Sequence, residues 1–253
     1  MLSVCATPIG NLEDVTLRVL RELREADVIL CEDTRRTRVL LDRHGIRGTL
    51  VSYHEHNEAK RTAELLPRLE GGERVALVSD AGLPGISDPG ARLIAAALAA
   101  GVPVTVLPGP SAVDTALVAS GLVGERYQFV GYLPRGEKAL ASLWEELARW
   151  RWPVVAFESP QRLPRTLRSL AGALPERPVA VCRELTKRFE EVVRGPAGEV
   201  AARFPEPPKG EIVLVLGAAE VAVDEEAGAE AVAELVRAGV ARRQAAALVA
   251  RLT

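Results

Sequence analysis

The sequence predicts an α/β protein made of two α/β domains and a helical tail. Three observations predict it. Short apolar runs alternate with amphipathic stretches through the first half. The pattern restarts after a polar turn flanked by Gly121 and Gly124. Residues 227–252 then read as two Ala-rich amphipathic helices split by Gly239. Strands alternating with helices imply a mainly parallel sheet covered on both faces.

In the first half, LSVCA (2–6) is strand-like and ends in TPIGN; Leu17, Leu20 and Leu23 then recur at helical spacing. DVILC (27–31) is a second strand, ending in EDTRRT, and a helix over 38–44 closes at Gly45. LVSYH (50–54) is a third strand, followed by the helix NEAKRTAELLPRLEGG with its Gly stop. RVALVS (74–79), a helix over 91–100 and PVTVL (103–107) complete the unit. The second unit runs from YQFVGYL through a helix near 136–150, PVVAFES, a helix over 160–174, PVAVCREL, FEEVVRG, a short helix and EIVLVLGA. Two of its strands, 179–185 and 189–194, are so close that they predict an antiparallel hairpin in a mixed sheet. The expected domains are 1–122, 123–220 and a helical tail over 221–253.

Composition narrows the class. The chain has 253 residues, 48% hydrophobic and 26% charged, which excludes a disordered chain and leaves ample core for two modest domains. Its Gly (21) and Pro (17) exclude a collagen-like or low-complexity chain. Cys5, Cys31 and Cys182 are odd in number and widely spaced, and the first two sit in apolar runs. They read as reduced core thiols of a cytoplasmic protein. No run reaches the roughly 18 apolar residues of a membrane span, and MLSVCATPIG lacks the features of a secretory signal. The net charge of −2 does not announce a nucleic-acid binder, although Arg35, Arg36, Arg38, Arg43 and Arg47 cluster with only Asp42 opposing them.

The Gly/Pro loops carry the strongest functional signal. TPIGN, DAGLPGISDPG and LPGPSA each follow a strand and precede a helix. In open α/β sheets that edge binds ligands, because helix N-termini with free N–H groups converge there. None of the loops is G-x-G-x-x-G or a P-loop. Turn chemistry alone is the competing reading, with Pro89 and Pro110 as first helical residues and Asp88 as an N-cap. Asp80 has less capping work and is favoured as a ligand contact.

His54 and His56 fall two apart in SYHEHNE, on one face if the strand continues through them. They suit a polar rim, a substrate contact or a general base, or belong to a turn capped by Asn57. The absence of zinc-type spacing argues against a metal site. Glu32, Asp33 and Arg35 sit at the end of the second strand, either as a helix start capped by Thr34 or as part of a basic lip for a phosphate backbone. Ser159 and Pro160 make a helix start; Arg183, Lys187 and Arg188 surround a tight connection.

At this point a resemblance enters. ATPIGNLED, CEDTRRTRVLL, SYHEHNE, VSDAGLPGISDPG, LPGPSA, FVGYLPR, FESPQR, RELTKRFEE and KGEIVLVL occur in that order over about residues 3–218. Together they closely resemble the bacterial ribosomal small-subunit RNA (cytidine-2′-O)-methyltransferase I family, of the tetrapyrrole-methylase class. The resemblance implies two α/β domains with S-adenosyl-L-methionine in the cleft between them. It implies methylation of a cytidine ribose 2′-hydroxyl in the decoding region of 16S ribosomal RNA, by a homodimer. By motif matching, Pro8, Asp80, Ala81, Gly82, Ser87, Ser111, Ala112, Phe157, Glu158, Leu185, Gly210, Glu211 and Ile212 line the cofactor site.

An alcohol nucleophile needs a proton acceptor. The candidates are His54, Glu55 and His56, which we favour, or Glu32 and Asp33; Arg35, Arg36 and Arg38 are the candidate RNA contacts. No metal is required. The family's Y-E-S-P-H-R block has Phe157 and Gln161 here, so position 161 is no base. Members usually continue into a small helical module, so the tail reads as a truncated or a naturally short one. The alternatives are the same fold acting on a corrinoid precursor or diphthamide intermediate, a non-catalytic nucleotide- or RNA-binding module, and a metal-dependent hydrolase built on His54 and His56.

Overall fold

The computed structural model describes residues 1–219 and 225–252. Two five-stranded sheets organise it. The first holds β1 (Leu2–Cys5), β2 (Val28–Cys31), β3 (Leu50–Ser52), β4 (Val75–Val78) and β5 (Val104–Leu107) in the order β3-β2-β4-β1-β5, all parallel. Helices α1 (Leu17–Glu25), α2 (Thr34–Arg43), α3 (Glu58–Glu70) and α4 (Ala91–Ala99) connect them. Side-chain alternation explains why the strands are apolar throughout. Leu2, Val4, Leu30 and Leu77 face one core with Leu65 and Leu93, whereas Cys5, Ile29, Ala76 and Val78 face the other with Val19, Leu23 and Leu41.

Helix α5 (Ala112–Ser120) leaves the first sheet and packs on the second. That sheet holds β6 (Gln128–Tyr132), β7 (Val154–Glu158), β8 (Pro178–Arg183), β9 (Glu191–Pro196) and β10 (Ile212–Leu216) in the order β6-β7-β10-β8-β9. It is mixed: β6 and β7 are parallel, β10 is antiparallel to both neighbours, and β8–β9 form the expected hairpin. One face carries α6 (Glu137–Leu147), α7 (Leu163–Ala173) and α8 (Ala197–Arg203) around the fully buried Trp144. Past it, α9 (Glu225–Arg237) and α10 (Arg242–Leu252) pack on each other about Gly239, as the sequence predicts. Residues 220–224 of the expected tail, and Thr253, lie outside the described residues.

Local corrections follow from capping chemistry. Helix α2 begins at Thr34, a turn earlier than expected, because the Asp33 carboxylate accepts the Arg35 N–H at 2.8 Å; Asp33, not Thr34, is its N-cap. Helix α4 is capped by Gly90 at φ 138° and α5 by Ser111, so neither Asp88, Pro89 nor Pro110 occupies its expected helical position. Strand β3 ends at Ser52, which puts His54 and His56 in a turn instead of on one strand face.

Arg177 is a buried charge of the second unit. Burial pulls its pKa down, yet its guanidinium donates to the carbonyls of Gly217 (2.7 Å), Leu147 (3.1 Å) and Trp150 (3.2 Å). Arg177→Met leaves those acceptors unpaired and is expected to cost about 2–4 kcal/mol in urea unfolding; a cost below about 0.5 kcal/mol would contradict this role.

Candidate functional site

The carboxyl ends of β1, β4 and β5 open toward the second sheet, and between them lies a cleft of about 800 Å³. That volume suits a nucleoside-sized ligand. The loops are tied to one another. Thr7 and Gly82 exchange backbone hydrogen bonds at 2.8 and 3.0 Å, and the Thr7 hydroxyl donates to the Ser79 carbonyl at 3.0 Å. Gly82 takes φ 80°, which favours glycine. Ser87 adopts φ 59° without that freedom, a local strain of about 1–3 kcal/mol that the surrounding loop must hold.

The far wall comes from the second unit. Phe157 stacks edge-to-face with Phe129 (5.0 Å) and Tyr132 (5.5 Å). Glu158 is buried and spent on structure: it accepts from Thr166 Oγ1 at 2.5 Å and Ser159 N at 2.6 Å, and pairs with Arg162. Gly210 and Glu211 reach the cleft through close packing on Glu184, since a Cβ on Gly210 would lie 2.4 Å from Glu184 Cγ. Lys187 then braces Glu184 at 2.7 Å and Glu211 at 2.9 Å. The same loop meets the first unit, where Asn11 N–H donates to Thr186 Oγ1 at 3.1 Å.

Asp80, Ala81, Gly82, Ser111, Ala112, Phe157, Glu158, Leu185, Gly210, Glu211 and Ile212 line this cleft. Pro8 and Ser87 do not; they belong to its supporting loops. Of the candidate bases only Glu32 lines it, while His54, Glu55, His56 and Asp33 stand outside. Hydrogen bonds from Arg35 hold the Asp33 carboxyl down to about 2. Asn57, the N-cap of α3, spends its side chain on His54: its Oδ1 accepts the His54 N–H at 2.9 Å and its Nδ2 faces His54 Nε2 at 3.0 Å. His54 Nδ1 on the far side of the ring is buried without a hydrogen-bond partner among the described residues.

The arginine cluster is split by ion pairs. Arg35 bonds Asp33, Arg36 turns into the cleft toward Asp80 at 3.4 Å, Arg43 reaches Glu13, and Arg38 is exposed. Among the described residues no three His, Cys, Asp or Glu are grouped to hold a metal ion. All three cysteines are buried and free, and burial pushes the Cys5 thiol up to about 12 and Cys182 to about 11. None is a reactive thiolate.

Asp88 is the cleft residue that capping logic concealed. Burial, with the nearby Glu32 charge, pushes its carboxyl up to about 6. Burial and Asp80 raise Glu32 as well, against Arg36 and His54. Asp80 itself accepts the Asp33 N–H at 3.0 Å. The sequence held one signal for this: three carboxylates after two strands that the parallel order makes neighbours.

An open parallel sheet whose carboxyl edge faces a second mixed sheet across one ligand-sized cleft defines a two-domain α/β protein with its site between the domains. The family model for tetrapyrrole (corrin/porphyrin) methylases matches residues 1–201. A ribosomal RNA small subunit methyltransferase I from Thermotoga maritima is 46% identical over 220 residues, 87% of this chain and 99% of that one. The protein of that name from Bacillus subtilis is 43% identical over 228 residues, 89% of this chain and 78% of that one. Among solved structures, the methyltransferase CobJ superposes with TM-score 0.66 at 23% identity, covering 86% of this chain and 94% of its own. Uroporphyrin-III C-methyl transferase from Thermus thermophilus, complexed with S-adenosyl homocysteine, gives 0.60 at 20% identity, covering 85% and 96%. At these identities the structural likeness is one of fold. The chain belongs to the tetrapyrrole methylase family and groups there with the ribosomal RNA small subunit methyltransferase I proteins.

A raised carboxylate pKa has a sign in stability. Between the ordinary value near 4 and about 6 the folded protein binds the extra proton, so stability falls as pH rises through that window. Asp88→Asn is therefore expected to be more stable than the parent at pH 7, by about 1–2 kcal/mol after solvent screening, with the gain gone below about pH 4. Equal stabilities at pH 7 would show that the carboxylate is not destabilised by its surroundings.

Proposed function

We propose that the protein transfers a methyl group from S-adenosyl-L-methionine to the ribose 2′-hydroxyl of a cytidine in the decoding region of 16S ribosomal RNA. The observation that carries this is the 46% identity over 99% of a relative named for small-subunit ribosomal RNA methylation, in a chain whose folded form has a nucleoside-sized cleft.

The residues present fit the cofactor. Ile9, Leu83, Val113, Leu185 and Ile212 give apolar surface for an adenosine, and the N-terminus of α5 at Ser111 and Ala112 offers N–H groups for a carboxylate. Glu32, Asp80 and Asp88 supply the negative field that an ammonium and a sulfonium require. Bound there, the cofactor supplies an electrophilic methyl group. The chain's own work is to align an alcohol with it, exclude water and accept a proton. Exposed Tyr132 and Ile86 at the rim present apolar surface to a nucleobase, and Arg35, Arg36 and Arg38 are the proposed contacts of the RNA backbone, Arg36 from within the cleft.

The same reading divides the chain at 122/123 and 220/221, assigns the tail to substrate contact, and makes the protein a cytoplasmic homodimer. In the structure, no helix of the described residues is long and apolar enough to cross a membrane.

The test is incubation with labelled S-adenosyl-L-methionine and small ribosomal subunits from a strain lacking the modification, followed by mapping of the label. The expected result is one labelled cytidine ribose in the decoding region. Label on another nucleotide or atom contradicts the assignment, and transfer only to a corrinoid or a protein side chain selects the alternative substrate class.

A further inference from the structure

We propose that Tyr132 is the stacking platform for the target nucleobase, which leaves its RNA stack and lies in the cleft mouth between Tyr132 and Ile86. The proposal rests on the methyl-transfer reading above and deepens it by assigning the residues that position the nucleotide.

A break in strand β6 carries the argument. Phe129 pairs with Val155 of β7 and Tyr132 with Phe157, so three steps along β6 oppose two along β7. The extra residue is a β-bulge, and Gly131 within it takes φ 69°. Side chains alternate along a regular strand. Phe129 packs with the cluster that holds Val155 and Val213, and Val130 with the opposite cluster around Trp144. In a regular strand Tyr132 would follow Val130 to that opposite side. The bulge returns it instead to the face of Phe129 and Phe157, where it lines the cleft, and Leu133 joins the cluster around Trp144.

The ring is braced but not covered. Tyr132 meets Phe157 edge-to-face at 5.5 Å, and Phe157 meets Phe129 in the same way at 5.0 Å. Tyr132 nevertheless stays 64% exposed. Among the described residues Tyr127 and Phe189 are the other exposed aromatics, and neither lines the cleft. Each has a local partner: Tyr127 donates to Asp114 at 2.8 Å, and the Arg188 guanidinium lies over the Phe189 ring at 5.5 Å.

The first unit supplies a counterpart. Ile86 lines the same cleft, is exposed, and stands between two left-handed residues, Gly85 (φ 86°) and Ser87 (φ 59°). Four apolar residues assigned to the cofactor, Ile9, Val113, Leu185 and Ile212, are buried instead. The cleft therefore has a closed apolar interior and an open apolar mouth, with one exposed side chain from each unit at the mouth.

A planar base fits that mouth. Enzymes that act on a stacked nucleotide draw it out and offset the lost stacking with aromatic and apolar contacts. Arg135 and Lys138 follow Tyr132 on the next turn of chain, exposed and without an ion pair among the described residues, while Glu137 between them is engaged by Arg165 at 3.3 Å. Two free cations there suit the phosphates beside an extruded nucleotide. Stacking tolerates any base, so Tyr132 supplies grip and position, not the choice of cytidine.

The experiment compares the parent chain with Tyr132→Ala, Tyr132→Phe, Tyr132→Leu and Ile86→Ala. It measures kcat/KM on unmodified small subunits, S-adenosylhomocysteine affinity by calorimetry, and the thermal midpoint as a check on folding. Tyr132→Ala is expected to lower kcat/KM by about 10–100-fold, with Ile86→Ala losing less. Tyr132→Phe stays within about threefold of the parent, because the ring and not the hydroxyl stacks, and every variant binds S-adenosylhomocysteine within about threefold. Tyr132→Ala at the parental kcat/KM overturns the proposal. So does Tyr132→Ala losing S-adenosylhomocysteine affinity, which would give the ring to the cofactor, or Tyr132→Phe as impaired as Tyr132→Ala, which would give the effect to the hydroxyl. Should Tyr132→Ala not fold, the comparison passes to Tyr132→Leu, which keeps apolar bulk without a π-face: a rate well below that of Tyr132→Phe supports the platform, and equal rates overturn it. A parent chain that binds S-adenosylhomocysteine but methylates no ribose defeats the underlying reading, whereas ribose methylation indifferent to Tyr132 defeats this proposal alone.

Discussion

Helix α5 does not stay with the sheet that delivers it. Val113, Ala116 and Leu117 bury against Val155, Ala180, Cys182, Val213 and Val215 of the second sheet, and β9 closes the helix from behind. There Arg194 donates to the carbonyl of Ser120 at 3.0 Å and to that of Ala119, a cation on the negative end of the helix. The other end of α5, capped by Ser111, opens into the cleft. One packing interaction therefore fixes the distance between the sheets and aims free N–H groups at the space between them. The second strut, Asn11 against Thr186 with Gly10 tight on Lys187, holds the same spacing at the other rim.

With the walls fixed, electrostatics decides what the cleft prefers. Three carboxylates from the β2 and β4 loops converge, and Arg36 alone among the cleft-lining residues of the first unit opposes them. Partial burial makes this costly, and the strain is taken up in pKa values. A ligand carrying positive charge relieves the repulsion, so the cleft favours a cationic guest. Glu158 sits deeper in the protein than Asp88, and its carboxylate accepts from Thr166 and the Ser159 N–H.

Much of this was legible in the sequence. Alternating apolar runs and helices, the hairpin over 178–196 and the three strand-end loops all follow from short-range periodicity and Gly/Pro placement, and the structure places them as expected. Eleven residues transferred by motif lie on one cleft wall or the other. Three things were not legible, each for a long-range reason. The preference of α5 for the second sheet depends on which apolar face awaits it, which no local window contains. Asp88 looked like an N-cap because S-D-P-G is good cap chemistry, but Gly90 at φ 138° carries the chain one corner further. His54 and His56 looked like strand residues, whereas Asn57 turns back to bind the His54 backbone and ends the strand early.

The account stands or falls on where the cofactor sits. A crystal structure of this chain with S-adenosylhomocysteine tests it most directly. The ligand is expected between the 80–88 loop and the α5 N-terminus on one side and Gly210–Ile212 on the other, with its sulfur facing Asp88 and Glu32. Binding at any other surface, or no binding at millimolar ligand, would contradict the claim that the cleft bridged by α5 is the cofactor's site.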